Sequence, residues 1–325
     1  MRHAIHIIAL AACAVLAAFS AWAQPAWPTK AVRVVVPGPA GSATDLVARI
    51  FTDAFARTFG QPFVVDNKPG ANGIIGTETA ARAPGDGYTL LLTYAAAHVV
   101  NPLLYAKLPY DPVKDFAPIA QISSGGNLLI VRPSFPASTL QEFVALAKSK
   151  PADELAYGSW GNGSGGHIAM EALKQQTGIT LRHVPYKSTA AATQDVLTGE
   201  IPVAFSAVAI SLPFIRSGQL KALALSGPLR TKELPDVPTM TEQGVKFDVA
   251  AWFGLFAPAS THPSIVEKLN AETLRLLYHP EMAARWDSIG LTEKPKKTPA
   301  EFAATIRSDL KEWGAVIRAA NITLD

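Results

Sequence analysis

Val32-Arg33-Val34-Val35-Val36-Pro37-Gly38-Pro39-Ala40-Gly41-Ser42-Ala43-Thr44-Asp45 sets the pattern of the whole chain. Val32–Val36 is a compact β-branched run and predicts a buried strand. Pro37 to Gly41 cannot continue that strand and predict a loop. Ser42 stands where a helix N-cap belongs, with Asp45 three residues on in the acidic capping-box position. Leu46 and Ile50, and Val47, Phe51 and Phe55, recur at four-residue spacing until Gly60 closes the helix.

Outward from this unit the alternation repeats. Residues 62–66 and Thr89–Tyr94 predict strands and 73–83 a helix. Residues 116–131 form an extended segment broken by Ser123-Ser124-Gly125-Gly126, a crossover into a second lobe. That lobe has helices at 139–149, Gly165–Thr177 and 190–197, and strands at 155–159, 181–186, 202–206 and 220–226. The extended run 246–257 crosses back. Helices at Pro263–Tyr278 and 280–289 follow. Thr298-Pro299-Ala300-Glu301 then opens a last helix, whose buried stripe is Phe302, Ile306, Leu310, Trp313 and Ile317. Short apolar strands alternating with helices predict an α/β fold, two lobes of mainly parallel sheet with flanking helices around a cleft. One lobe is assigned to 24–122 and 251–325, the other to 123–250.

The chain has 325 residues, 29 Lys+Arg against 26 Asp+Glu, and 17% charged residues. This balance excludes a disordered chain or a basic nucleic-acid binder. Arg2, the apolar run from Ala4 to Phe19 and the A-x-A site Ala21-Trp22-Ala23 predict a signal peptide over 1–23. An uncleaved anchor, or a lipoprotein box at Leu10-Ala11-Ala12-Cys13, are the competing readings. Removing the leader takes away Arg2 and leaves 28 basic residues against 26 acidic, +2. It also removes Cys13, the only cysteine, and with it any thiolate nucleophile or Cys metal site.

The most glycine-rich stretch is Gly158-Ser159-Trp160-Gly161-Asn162-Gly163-Ser164-Gly165-Gly166-His167, between a predicted strand and a predicted helix. Glycines admit close backbone approach, and free N–H groups at a helix start face negative charge. Gly161, Gly163 and Gly166 match the dinucleotide spacing. The required acid is missing, however, because the next strand ends in Pro185-Tyr186-Lys187. A small-anion cradle or a structural glycine turn remain. Residues 37–45 repeat the logic in the first lobe. There Ser42 and Thr44 either donate to a ligand or cap the helix, and Asp45 either contacts the ligand or fixes the loop. Tyr94, Trp160, Tyr186, Trp252 and Phe253 supply either apolar walls or core, and Lys187 a counter-charge or a solvated surface group. Catalytic readings find no support: the mature histidines form no HExxH, and no G-x-S-x-G elbow surrounds Ser164.

Several motifs together are similar to one family. They are residues 36–45, Val65-Asp66-Asn67-Lys68-Pro69-Gly70-Ala71-Asn72-Gly73, Gly85-Asp86-Gly87-Tyr88-Thr89-Leu90, Leu108-Pro109-Tyr110-Asp111-Pro112, Val184-Pro185-Tyr186-Lys187 and Leu234-Pro235-Asp236-Val237-Pro238-Thr239. The chain resembles the substrate-binding proteins of the tripartite tricarboxylate transporter system, the Bordetella uptake gene family. The resemblance implies a type II periplasmic binding protein fold without catalysis, cofactor or metal. It further implies a monomer that delivers a small carboxylate, aromatic or dicarboxylic, to membrane permease subunits; a ligand-sensing module that signals through a membrane sensor is the alternative. Carried over, the loop positions are Gly38, Ala40, Gly41, Ser42, Thr44, Asp45, Ser159, Trp160, Asn162, Gly163, Ser164 and His167; Tyr94, Tyr186 and Lys187, read from the residues themselves, complete the candidate ligand-binding set. Ser42 and Ser188 depart from the family's glycines at those positions, and His262 from its proline.

Overall fold

The computed structural model of the protein describes residues 27–322, apart from 153 and 292. The leader, with its Ala21-Trp22-Ala23 site and Cys13, lies outside the described residues. No helix among the described residues is long and apolar enough to cross a membrane.

Strand β1 (Val32–Val36) lies between β2 (Phe63–Asn67) and β3 (Thr89–Tyr94), parallel to both. Its side chains alternate between two cores. Val32, Val34 and Val36 pack with Val47, Phe51 and Phe55 of helix α1 (Ala43–Phe59), whereas Val35 belongs with Leu91 to the opposite layer. A strand covered on both faces needs apolar side chains in both directions, and the branched valines supply them. Ser42 caps α1 by accepting from the Asp45 N–H at 3.3 Å, and Gly60 ends it at φ 68°.

The first sheet has the order β2-β1-β3-β10-β4, with β4 at Phe116–Gln121 and β10 at Phe253–Pro258. The second has the order β7-β6-β8-β5-β9. Its strands are β5 (Asn127–Val131), β6 (Ala156–Ser159), β7 (Arg182–Pro185), β8 (Val203–Ala207) and β9 (Lys221–Leu225). In each sheet four strands run one way and the fifth is antiparallel to both its neighbours: β10 in the first, β5 in the second. Each of these is the first strand laid down after the chain arrives from the other sheet, so reversal of direction follows from the crossover. The two crossovers run side by side. Gly125 and Ala251 exchange backbone hydrogen bonds of 2.9 and 2.7 Å.

Helices α2 (Ile74–Ala81), α3 (Asn101–Leu104), α4 (Leu140–Lys148), α5 (Gly165–Thr177), α6 (Thr189–Thr198), α7 (Val208–Arg216), α8 (Pro263–Tyr278), α9 (Pro280–Ser288) and α10 (Pro299–Ala319) cover the sheets. The Thr298–Glu301 capping box opens α10, and Phe302, Ile306, Trp313 and Ile317 are buried while Leu310 is half-buried. These α10 residues share one core with Val35 and Leu91 of the first sheet and Leu129 and Phe205 of the second, so the last helix joins the two layers. Helical segments at Ala96–Val100, Asn101–Leu104 and α7 escape the sequence pattern. Ala96–Val100 is buried on all sides and so shows no amphipathic stripe, and α7 carries Pro213 in its interior.

Candidate ligand-binding cleft

A cavity of about 620 Å³ opens between the sheets. Both crossovers contribute to its wall, through Ser123 to Gly126 and through Ala251 to Phe253. The first residues of α1, α5, α6 and α7, namely Ala43, Gly165, Thr189 and Val208, all line it. Each helix start leaves N–H groups without intrahelical acceptors and presents the positive end of its dipole. Among the described lining residues Glu293 is the one carboxylate, and Lys232 neutralises it at 3.5 Å. Arg230 is paired with Glu242 at 2.9 Å, whereas Lys187 has no ion-pair partner among the described residues. The field in the cavity therefore favours an anion.

On the first loop, Gly38, Ser42 and Thr44 line the cavity. Ala40, Gly41 and Asp45 do not. Asp45 is 1% exposed and sits behind the loop. Its carboxylate accepts from the Gly41 N–H at 2.9 Å, from Asn67 Nδ2 at 3.0 Å and from Arg49 Nε at 2.9 Å. Burial raises the Asp45 carboxyl, but the Arg49, Gly41 and Asn67 hydrogen bonds outweigh it and hold the group below its usual range. Asn67 also donates to the Gly38 carbonyl at 2.9 Å, which ties the loop to β2. Asp45 thus fixes the loop and has no side-chain surface left for a solute.

On the glycine-rich loop, Trp160 lines the cavity, with Gly161 and Gly165. Ser159, Asn162, Gly163, Ser164 and His167 lie off the wall. Ser159 and Ser164 are fully buried. Ser164 Oγ donates to Ser159 Oγ at 3.2 Å, and Ser159 Oγ lies 2.7 Å from His183 Nε2. The Gly163 N–H donates to His167 Nδ1 at 3.1 Å. The loop is therefore stitched to itself, with Gly161 at φ 120° and Gly163 at φ 73° making its turns. Gly166 serves packing: a Cβ there would meet Trp160 Cζ3 at 2.6 Å. Burial, aided by His167 and Lys174, pushes His183 down to about 3, so its ring is neutral. The Ser159–His183 pair lies outside the cavity lining.

Tyr94, Tyr186 and Lys187 line the cavity. The Tyr186 hydroxyl is already spent on Asp195 Oδ2 at 2.7 Å. The Tyr94 hydroxyl makes no hydrogen bond among the described residues, and burial pushes its pKa up. Among the lining residues that sequence reading missed are Asn127, Leu225, Ile289 and Trp313. Asn127 was legible only as a polar residue opening an otherwise apolar strand. Among the described residues no group of three or more His, Cys, Asp or Glu is placed to hold a metal.

Comparison with known proteins fits this geometry. Residues 47–322 match the family model described as "Tripartite tricarboxylate transporter family receptor". The chain is 32% identical to Protein BugT of Bordetella pertussis over 294 residues, 90% of each chain. A solved structure described as that of a periplasmic transporter superposes with a TM-score of 0.87 at 37% identity, covering 92% of this chain and 100% of the other. Rpa4515 of R. palustris with adipate gives a TM-score of 0.86 at 32% identity, covering 91% and 99%.

Proposed function

Because the chain belongs to the tripartite tricarboxylate transporter family of receptors, we propose that it is the periplasmic solute-binding protein of such a system, capturing a small carboxylate between its lobes. Four helix N-termini meeting at one cavity whose only described carboxylate is ion-paired carry this reading. The volume falls within the ~300–1,000 Å³ of small-molecule sites. Backbone N–H groups hold an anion without a large positive patch, which suits a chain of nearly balanced charge.

The adipate on Rpa4515 supports a dicarboxylate, with Lys187 as counter-charge. Trp160 supplies a flat wall that suits an aromatic carboxylate equally. Gly38, Ser42, Thr44, Tyr94, Trp160, Tyr186 and Lys187 are the direct contacts in this reading. Ala40, Gly41, Asp45, Ser159, Asn162, Gly163, Ser164 and His167 hold the two loops in shape. The lobes are 24–122 with 251–325, and 123–250. Export proceeds with cleavage after Ala23, and the loaded monomer docks on membrane permease subunits.

Calorimetric titration of the mature chain with adipate, benzoate and citrate tests the ligand class, with X-ray scattering to follow lobe closure. Binding of at least one, with a smaller radius of gyration, is expected. No heat from any of the three, and unchanged scattering, would sink the proposal.

A further inference from the structure

Asn127 opens β5 directly after the crossover from the first sheet. It is 7% exposed and lines the cleft. Its main chain is fully engaged: the N–H donates to Ser226 Oγ at 2.9 Å, and the carbonyl accepts from the Ser226 N–H at 2.8 Å. The side-chain amide makes no hydrogen bond among the described residues. The amide is not among the described buried polar groups sealed off without a partner, so its donor and acceptor stay available to a solute in the cleft. Trp160, Gly165 and Trp313 line the same cleft beside it. A Cβ on Gly165 would lie 3.4 Å from Asn127 Nδ2, 3.6 Å from Trp160 Cζ2 and 3.9 Å from Trp313 Cη2. The amide and the two indole edges thus converge beside the first residue of α5, whose N–H has no intrahelical acceptor. The Trp313 indole N–H is buried with no acceptor among the described residues.

We infer that Asn127 determines specificity by hydrogen bonding a second oxygen-bearing group of the solute, carried on an apolar body that lies between Trp160 and Trp313. The first carboxylate stays at the α1 end of the cleft, among Ser42, Thr44 and Tyr94. This rests on the reading that the cleft takes a carboxylate. The solute class is then a carboxylic acid with a second acceptor, a dicarboxylate being the simplest case.

Calorimetric titration of the full mature chain with adipate and with hexanoate isolates the second group, because the acids differ only at the far end. Wild type is expected to prefer adipate. Asn127→Leu should weaken adipate about tenfold and leave hexanoate unchanged. The nearly isosteric Asn127→Asp sets a like charge against the second carboxylate, should weaken adipate further, and serves if the leucine variant folds poorly. Equal loss for both acids, or no loss, would make Asn127 a structural residue and overturn the inference. If wild type binds adipate and hexanoate alike, no second group is read and the inference falls alone. If it binds no carboxylate, the parent reading falls with it.

Discussion

The Trp252 indole N–H donates to Asp309 Oδ2 at 2.6 Å, linking a residue of the cleft wall to the last helix. Burial pushes the Asp309 carboxyl up to about 6; Glu312 adds to the rise, and the Trp252 N–H and Lys297 only partly oppose it. Between 3.8 and about 6 the native state keeps a proton that the unfolded chain has released. Stability from this group is therefore greatest in acid and declines as pH rises through that window. Asp309→Asn is neutral at every pH and retains an acceptor for the indole. Melting temperatures at about pH 4.5 and about pH 7.5 should show the variant gaining on wild type at the higher value. A constant difference would refute the shift.

Asp45 behaves in the opposite sense. Its folded carboxyl is held low, so its contribution is present above 3.8 and is lost as pH falls through the depressed value. Asp45→Ala orphans the Gly41 N–H and frees Asn67 and Arg49. A loss of about 2 kcal/mol at neutral pH is expected. Solute affinity should fall as well, although Asp45 touches no part of the cavity, because the loop carrying Ser42 and Thr44 is no longer fixed. Chemical denaturation and titration on the same sample check both.

Two adjacent glycines separate packing from access. A methyl on Gly166 meets Trp160 Cζ3 at 2.6 Å and Phe205 Cβ at 2.8 Å, so Gly166→Ala should cost about 1–3 kcal/mol and displace the Trp160 wall. On Gly165 the nearest atom is 3.4 Å away, an ordinary contact, and the variant should fold as wild type does. Thermal melts of the two alanine variants decide it. If Gly165→Ala is the less stable, the packing order is wrong.

How far the chain was legible follows from what local sequence encodes. The valine run, the Ser42 and Thr298 caps and the Gly60 stop depend on neighbours a few residues away, and all stand where the pattern puts them. The cleft is different. Ser164 and Gly163 look like an anion cradle in sequence, yet their polar groups are claimed by Ser159 and His167. Asn127 and Trp313, 186 positions apart in the chain, meet only because α10 packs back across both sheets. No local pattern encodes that meeting, whereas Tyr94 was visible because it ends a strand on the same side as the first loop.

That tyrosine gives the sharpest test of which hydroxyl serves the solute. Tyr94 Oη has no partner among the described residues and lies close to Gly73, where a Cβ would stand 2.8 Å from it. Removing the oxygen orphans nothing, so Tyr94→Phe should change stability by no more than about 0.5 kcal/mol. If the hydroxyl donates to the bound carboxylate, affinity falls roughly 3- to 10-fold. Tyr186→Phe should do the reverse, because its hydroxyl already donates to Asp195 and its loss costs folding rather than binding. Measured side by side, the two variants should split cleanly between melting temperature and affinity. A Tyr94→Phe protein that binds as tightly as wild type would place the carboxylate elsewhere in the cleft and leave the Tyr94 hydroxyl without a role in recognition.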